Sequence, residues 1–179
     1  RYDLVALMGL LAATLLGLID PKDAFSGFGN AATVTVALVL ILSRALSASG
    51  AIDPIARLVQ RGSGTTVGHI GGLSGTAALL SAFMNNVGAL DLLLPVAIQS
   101  ARKAERPVRL LLMPLAFASI LGGMLTLIGT PPNILISAIR SESVGESYAM
   151  FDFLPVGGVV AIIGLIYLVV FGWRLIPQA

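Results

Sequence analysis

The chain has 179 residues, of which 56% are hydrophobic and 11% are charged, and its mean hydropathy is +0.95. Soluble domains carry about 25% charged residues, so this composition predicts an all-helical integral membrane protein. The absence of cysteine and the single histidine exclude thiolate metal sites and disulfides, and they leave no clustered zinc ligands. The net charge of +2 does not indicate nucleic-acid binding, because the basic residues lie in short loops beside apolar segments.

Two apolar segments open the chain. The first covers about 2–19 and ends before Pro21, which cannot continue a helix; no small-residue cleavage site follows, so a membrane span is expected and not a signal peptide. The second covers about 31–48, and Arg44 near its end can extend to the lipid headgroups. The segment 52–61 has apolar and basic residues on different faces, which predicts a short helix on the membrane surface.

The segment 67–101 is too long for one span and too short for two, so it is predicted to form a re-entrant helical hairpin. Its tip is placed at Asn85 and Asn86, two adjacent amides in an apolar run. An amide without a partner in hydrocarbon costs about 4–8 kcal/mol, so these side chains should line a cavity inside the protein. His69 is expected to be an interfacial histidine without a catalytic role. Glycines spaced for close helix packing precede the tip: Gly68, Gly71, Gly72 and Gly75.

The uncharged run within 110–140 is predicted to be a broken transmembrane helix. Pro131 and Pro132 cannot both lie in the middle of a helix, so two half-helices should meet at 129–130. A last span is expected over about 153–172.

The basic residues predict the orientation of these spans. If both ends of the hairpin face the cytoplasm, all eleven basic residues except Lys22 and Arg140 are cytoplasmic. An excess of Lys and Arg in short cytoplasmic loops sets the orientation of membrane proteins. The chain is therefore expected to be a multi-pass protein of the cell membrane, in contact with lipid.

The two breaks place complementary helix ends near each other. Helix C-termini present carbonyl groups with partial negative charge, and helix N-termini present N–H groups with partial positive charge. Carbonyl and side-chain oxygens suit Na⁺, whereas helix N-termini bind anions. A coupled site for Na⁺ and an anion near the middle of the bilayer is the simplest interpretation.

At these residues the chain resembles the divalent-anion/sodium symporter family, within the superfamily of citrate-like and arsenite-like ion transporters. That family marks its hairpin with Ser-Asn-Thr and its broken helix with Gly-Thr-Pro-Pro-Asn; residues 85–87 fall on the first motif and 129–133 match the second without change. Val87 stands where the family has threonine, which removes a hydroxyl that would contact a carboxylate or sulfate. Asn85 stands where the family has serine, which keeps an oxygen ligand.

The resemblance implies a cation site beside a substrate site. The cation-binding residues that it implies are Ser81, Asn85, Asn86 and Gly129. The substrate-binding residues that it implies are Asn86, Val87, Thr130, Pro131, Pro132 and Asn133. Asp91, the acid within the apolar runs, is a further candidate ligand for a proton or ion; an acid facing a water-filled vestibule or paired with a loop arginine is an equal alternative.

The resemblance also implies that the chain is the first inverted repeat of a longer transporter, with a missing C-terminal repeat and a homodimeric assembly. The implied function is a secondary active transporter that couples Na⁺ to movement of a small anion such as a dicarboxylate, sulfate or related oxyanion, without an organic cofactor. An enzyme is not expected, since no Ser/His or paired-Asp constellation lies at helical spacing in the spans. Two alternatives stay open: a proton-coupled exchanger or arsenite-type exporter, and a membrane scaffold subunit that transports nothing.

Overall fold

The computed structural model describes residues 2–49 and 64–176. In these ranges the chain is helical and has no β-strand, which confirms the all-helical class. The helices are α1 (Tyr2–Leu15), α2 (Ala31–Ala48), α3 (Thr66–Phe83), α4 (Asn86–Lys103), α5 (Arg109–Gly123), α6 (Pro131–Val144) and α7 (Leu154–Val170). The surface helix expected at 52–61 falls outside the described residues.

The first helix ends earlier than position 19, where the sequence placed the end of the first segment. Gly17 has a φ of 71°, in the left-handed region that favours glycine. The Leu18 N–H donates to the Ala13 carbonyl at 3.0 Å, which closes the last turn of α1. The helix is therefore ended by a glycine cap, before Pro21 is reached. None of the helices within 2–49 and 64–176 combines the length and the apolar character needed to cross a membrane.

The core lies between α3, α4 and α5, and α7 packs against its outside. The large buried side chains in this core are Ile70, Leu73, Leu80, Met84, Leu93, Leu111 and Leu115. Buried alanines on α3, α4 and α5 let the three helix backbones approach closely. The hairpin α3–α4 is thus held in protein along most of its length.

The chain leaves helical geometry between α3 and α4, one residue earlier than predicted. Met84 and Asn85 are both extended, with φ and ψ of −122° and 156° for Met84 and −62° and 152° for Asn85. Met84 is fully buried beneath this break. The helical hairpin is present; its re-entrant position in a bilayer stays a prediction.

The second break is longer than the predicted junction at 129–130. Helix α5 ends at Gly123 and α6 begins at Pro131, so residues 124–130 form a connecting segment. The Leu127 N–H donates to the Met150 carbonyl at 2.9 Å, so this backbone bonds to the loop before α7 and does not extend either helix. The two prolines start α6 at positions where no N–H partner is needed.

The closest approach between helices occurs where α5 meets α3. A Cβ atom built on Gly122 would overlap the backbone of Ala78, and one built on Gly157 would overlap the Met124 carbonyl. The prediction of close approach at Gly75 was wrong: in the part of the chain that the structure describes, no atom outside the backbone of α3 itself lies within 4 Å of a Cβ there. A Cβ at Gly71 would make ordinary contact with Val169 at 3.5 Å. The small-residue contact therefore lies at Gly122.

Gly122→Ala and Gly75→Ala give a matched test of this packing. Gly122→Ala should destabilise the protein by about 1–3 kcal/mol, because the added methyl group must displace the α3 backbone. Gly75→Ala should be neutral or stabilising by up to about 1 kcal/mol, because alanine is the better helix former and has room. The apparent unfolding temperature in detergent, followed by far-UV circular dichroism, checks both. Equal midpoints for the two variants would contradict the close contact.

Candidate functional site

Asn85 caps the second half of the hairpin. Its Oδ1 accepts hydrogen bonds from the backbone N–H groups of Val87 at 2.6 Å and Gly88 at 3.1 Å. The extended backbone of Asn85 allows this, as it does for asparagine at helix N-caps generally. The oxygen that the family resemblance assigns to a cation is thus directed at the N-terminus of α4. Asn85 shapes the tip of the hairpin.

Three oxygen atoms meet beneath the tip. Ser81 Oγ lies 2.7 Å from Asn86 Oδ1 and 2.6 Å from the carbonyl oxygen of Ser119 on α5. A hydroxyl carries one hydrogen, so Ser81 can donate fully to only one of these two oxygens. Ser81 is fully buried, and Asn86 is half-buried. The site therefore concentrates oxygen lone pairs at the point where the hairpin stops being helical.

The segment between α5 and α6 is held by side chains from both sides. Asn133 Nδ2, in the first turn of α6, donates to the carbonyl oxygens of Gly123 at 3.1 Å and Thr126 at 2.9 Å. Thr126 Oγ1 donates to the carbonyl oxygen of Ala82, in the last turn of α3. Polar side chains thus satisfy backbone carbonyls that helix termini leave without partners.

The two breaks converge on Gly123. A Cβ atom on Gly123 would overlap Asn86 Oδ1, so the absent side chain is what admits the Asn86 amide. Gly129 is buried against the same residue, with its Cβ position next to the Gly123 carbonyl group. Asn133 bonds to that carbonyl oxygen as well. Residues from both predicted edges, together with Ser81, therefore form one layer around Gly123, which we call the break layer: Ser81, Asn86, Gly129 and Asn133.

The remaining candidate residues are more open. Pro131 and Pro132 are exposed, and Thr130 is half-buried. Val87 and Asp91 are exposed and line a cleft of about 360 Å³ between α2 and α4. Arg44 of α2, which was expected to extend to the headgroups, lines the same cleft. Charge of both signs therefore lies in the cleft, beside the break layer.

Two groups in this site were not predicted from the sequence. Thr126 is buried and connects the second break to α3; the signal for it was available, since it is the sole polar residue between Gly123 and Gly129. The Ser119 carbonyl oxygen could not have been found, because backbone groups are identical along the sequence.

The comparisons with known proteins agree with the resemblance. A family model described as a citrate transporter matches residues 1–179, so the chain belongs to the citrate transporter family. The chain is 35% identical over 179 residues to the uncharacterized transporter sll0640 of Synechocystis, covering 98% of the chain and 29% of that protein. No solved structure matches the chain.

Relatives with named ions are more distant. Sodium/sulfate cotransporter 1 of Chlamydomonas reinhardtii is 26% identical, over 96% of the chain and 20% of that protein. The sodium-dependent dicarboxylate transporter SdcS of Staphylococcus saprophyticus is 24% identical, over 92% of the chain and 34% of that protein. The chain thus spans about a third or less of the length of these relatives. Membership in a transporter family agrees with the expectation of a membrane protein that is not an enzyme.

Asn85 variants test the capping role. Asn85→Ala should lower stability by about 1 kcal/mol, because the N–H groups of Val87 and Gly88 lose their partner. Asn85→Ser should lose only a few tenths of a kcal/mol, since serine caps helices about as well as asparagine. Apparent unfolding temperatures of the two purified variants measure the difference. An equal loss in both would show that the cap does not stabilise α4.

Proposed function

We propose that the full-length protein is a secondary active transporter that couples Na⁺ to the movement of a small anion such as sulfate, a dicarboxylate or a related oxyanion. Support comes from the family and from its relatives, which include a sodium/sulfate cotransporter and a sodium-dependent dicarboxylate transporter. The break layer supports it independently, because it offers oxygen ligands for a cation next to the N-termini of α4 and α6.

The observation that carries the proposal is the oxygen cluster of Ser81, Asn86 and Ser119. Two oxygens lie 2.7 Å and 2.6 Å from a hydroxyl that has one hydrogen to give. A hard cation such as Na⁺ among these atoms would satisfy the lone pairs that the hydroxyl cannot. The Gly123 carbonyl oxygen, which accepts a hydrogen bond from Asn133, is a further oxygen enclosed by the layer.

The anion would lie on the outer side of the break layer, where α4 and α6 begin. Both N-termini contribute partial positive charge. Pro131 and Pro132 have no N–H, and Asn85 occupies two N–H groups of α4, so few backbone donors are left for an anion. Substrate contacts therefore rely on the Asn86 amide and the Thr130 hydroxyl.

We also infer the setting of the chain. Apolar side chains on the outer helices are exposed, such as Leu15 at 87% and Val156 at 73%, and soluble monomers rarely expose large apolar patches. A multi-pass position in the cell membrane would cover them with lipid. We infer that residues 1–179 are one repeat, which a second repeat completes in a protein that works as a homodimer.

Uptake by the full-length protein in proteoliposomes tests the proposal. With an inward Na⁺ gradient, radiolabelled sulfate or succinate should accumulate, and Asn86→Ala should abolish this uptake. Ser81→Ala should raise the half-saturating Na⁺ concentration about tenfold, which corresponds to the loss of one ligand worth about 1.4 kcal/mol.

Ser143→Ala is the matched control, because that serine is exposed and donates within its own helix to Ile139. Its Na⁺ dependence should equal that of the unaltered protein. Uptake that persists without Na⁺ and follows a pH gradient would point to proton coupling, and absent flux of both anions under every gradient would contradict transport of these substrates. Undiminished Na⁺-dependent uptake by Asn86→Ala would remove the site assignment.

A further inference from the structure

At the end of the hairpin opposite the tip, His69 connects the start of α3 with the end of α4 and the loop that follows. This imidazole is fully buried in the first turn of α3. Its Nε2 lies 2.9 Å from Ser100 Oγ near the end of α4, and its Nδ1 lies 2.9 Å from Arg106 Nη1 in the next loop. We call these three residues the base clasp: His69, Ser100 and Arg106. The base clasp has no atom in common with the break layer.

The partners of His69 fix its tautomer. A guanidinium group can only donate, so Nδ1 must accept from Arg106 and carries no hydrogen. Nε2 then carries the hydrogen and donates to Ser100 Oγ, which donates in turn to the Ala97 carbonyl oxygen at 3.1 Å. Every hydrogen in this chain of bonds has an acceptor. The clasp is complete with a neutral imidazole.

The loop after α4 is shaped to return Arg106 to the hairpin. Glu105 has a φ of 51°, and the Arg106 N–H donates to the Ala101 carbonyl at 2.9 Å, which reverses the chain at the end of α4. The guanidinium also donates to the carbonyl oxygens of Thr65 and Gly64, each at 3.3 Å. Arg106 thereby connects the residues before α3 with the residues after α4.

We propose that the base clasp is a proton-sensitive latch, closed while His69 is neutral and opened when His69 takes a second proton. That proton would sit on Nδ1, facing the guanidinium group. The hydrogen bond would be lost, and two positive charges would lie in contact at a buried position. Neither effect arises on the imidazole's other side, where Nε2 already carries a hydrogen.

Among residues 2–49 and 64–176, no carboxylate is in hydrogen-bond contact with the imidazole, whose two nitrogens are occupied by Ser100 and Arg106. Helix α3 has no other charged residue, and the titratable side chain of α7 is Tyr167, which is half-exposed. Asp91 lies toward the other end of α4. Five further charged residues lie close to the clasp in the chain or on elements near α3, and all are exposed: Arg102, Lys103, Glu105, Arg109 and Arg174.

The direction of the response follows from these contacts. The clasp is complete at a pH above the ordinary titration range of histidine, about 6.5, and is lost as the pH falls. Opening should break the bonds from Arg106 to the carbonyl groups before α3. It should also loosen the chain reversal after α4. The break layer contains no titratable side chain, so it should not respond.

Hydrogen exchange of the full-length protein between about pH 8 and pH 5 tests the latch. Exchange rates are divided by the intrinsic rate at each pH, which gives protection factors that can be compared. Amides of 64–69, 104–106 and 108 should lose protection on the order of tenfold at the lower pH, as expected for loss of a hydrogen bond to a charged group. Amides of α6 serve as the internal reference and should be unchanged. Unchanged protection in both of these segments would overturn the proposal.

His69→Gln is the matched variant. Glutamine has a donor and an acceptor but takes up no proton in this range, so it should keep the protection seen at pH 8 and lose the pH response. A pH response of the same size in this variant would overturn the proposal.

A further measurement uses the unaltered histidine and needs no variant to fold. Nitrogen NMR of the imidazole at pH 8 should show a bare Nδ1 and a protonated Nε2, and the opposite tautomer would contradict the latch. None of these outcomes depends on which ion or anion the protein transports.

Discussion

The backbone groups released where the two helices break are the constraint on which this structure depends. A helix terminus leaves N–H and carbonyl groups unpaired, and burial without partners would cost about 1–3 kcal/mol for each. Here the Asn85 side chain accepts hydrogen bonds from the N–H groups that begin α4. The Asn133 side chain donates to the carbonyl group that ends α5. The Thr126 hydroxyl donates to a carbonyl group in the last turn of α3. The breaks are therefore specified by side chains: Asn133 bonds across the second break, Thr126 bonds from the second break to α3, and Asn85 caps the helix that follows it.

This arrangement explains why the site is formed at Gly122 and Gly123. Without side chains, these two residues bring the backbone of α5 against Ala78 and admit the Asn86 amide. The oxygens of Ser81, Asn86 and Ser119 then crowd together because the helices cannot separate without losing that contact. Close packing thus creates the local excess of lone pairs on which the proposed cation site relies.

The hairpin is fastened at both ends by different chemistry. At the tip the bonds involve amides, hydroxyls and carbonyls, none of which titrates near neutral pH. At the base a histidine lies between a hydroxyl and a guanidinium. An apolar core fills the length between them. A change in pH therefore reaches the base directly, whereas a change in cation concentration would act at the tip.

The sequence by itself determined the helical class, the family and the approximate location of both breaks. Proline limits the local backbone conformation, and paired amides in an apolar run need polar partners wherever the chain folds. It did not determine the length of the second break, since the Leu127 N–H within this segment bonds to the Met150 carbonyl in the loop before α7. Tertiary structure alone decided that Gly122 and not Gly75 makes the close contact, and that His69 lies between Ser100 and Arg106. Those outcomes depend on which atoms from distant parts of the chain lie within 3 or 4 Å of one another, a distance scale set by van der Waals contact and hydrogen bonding.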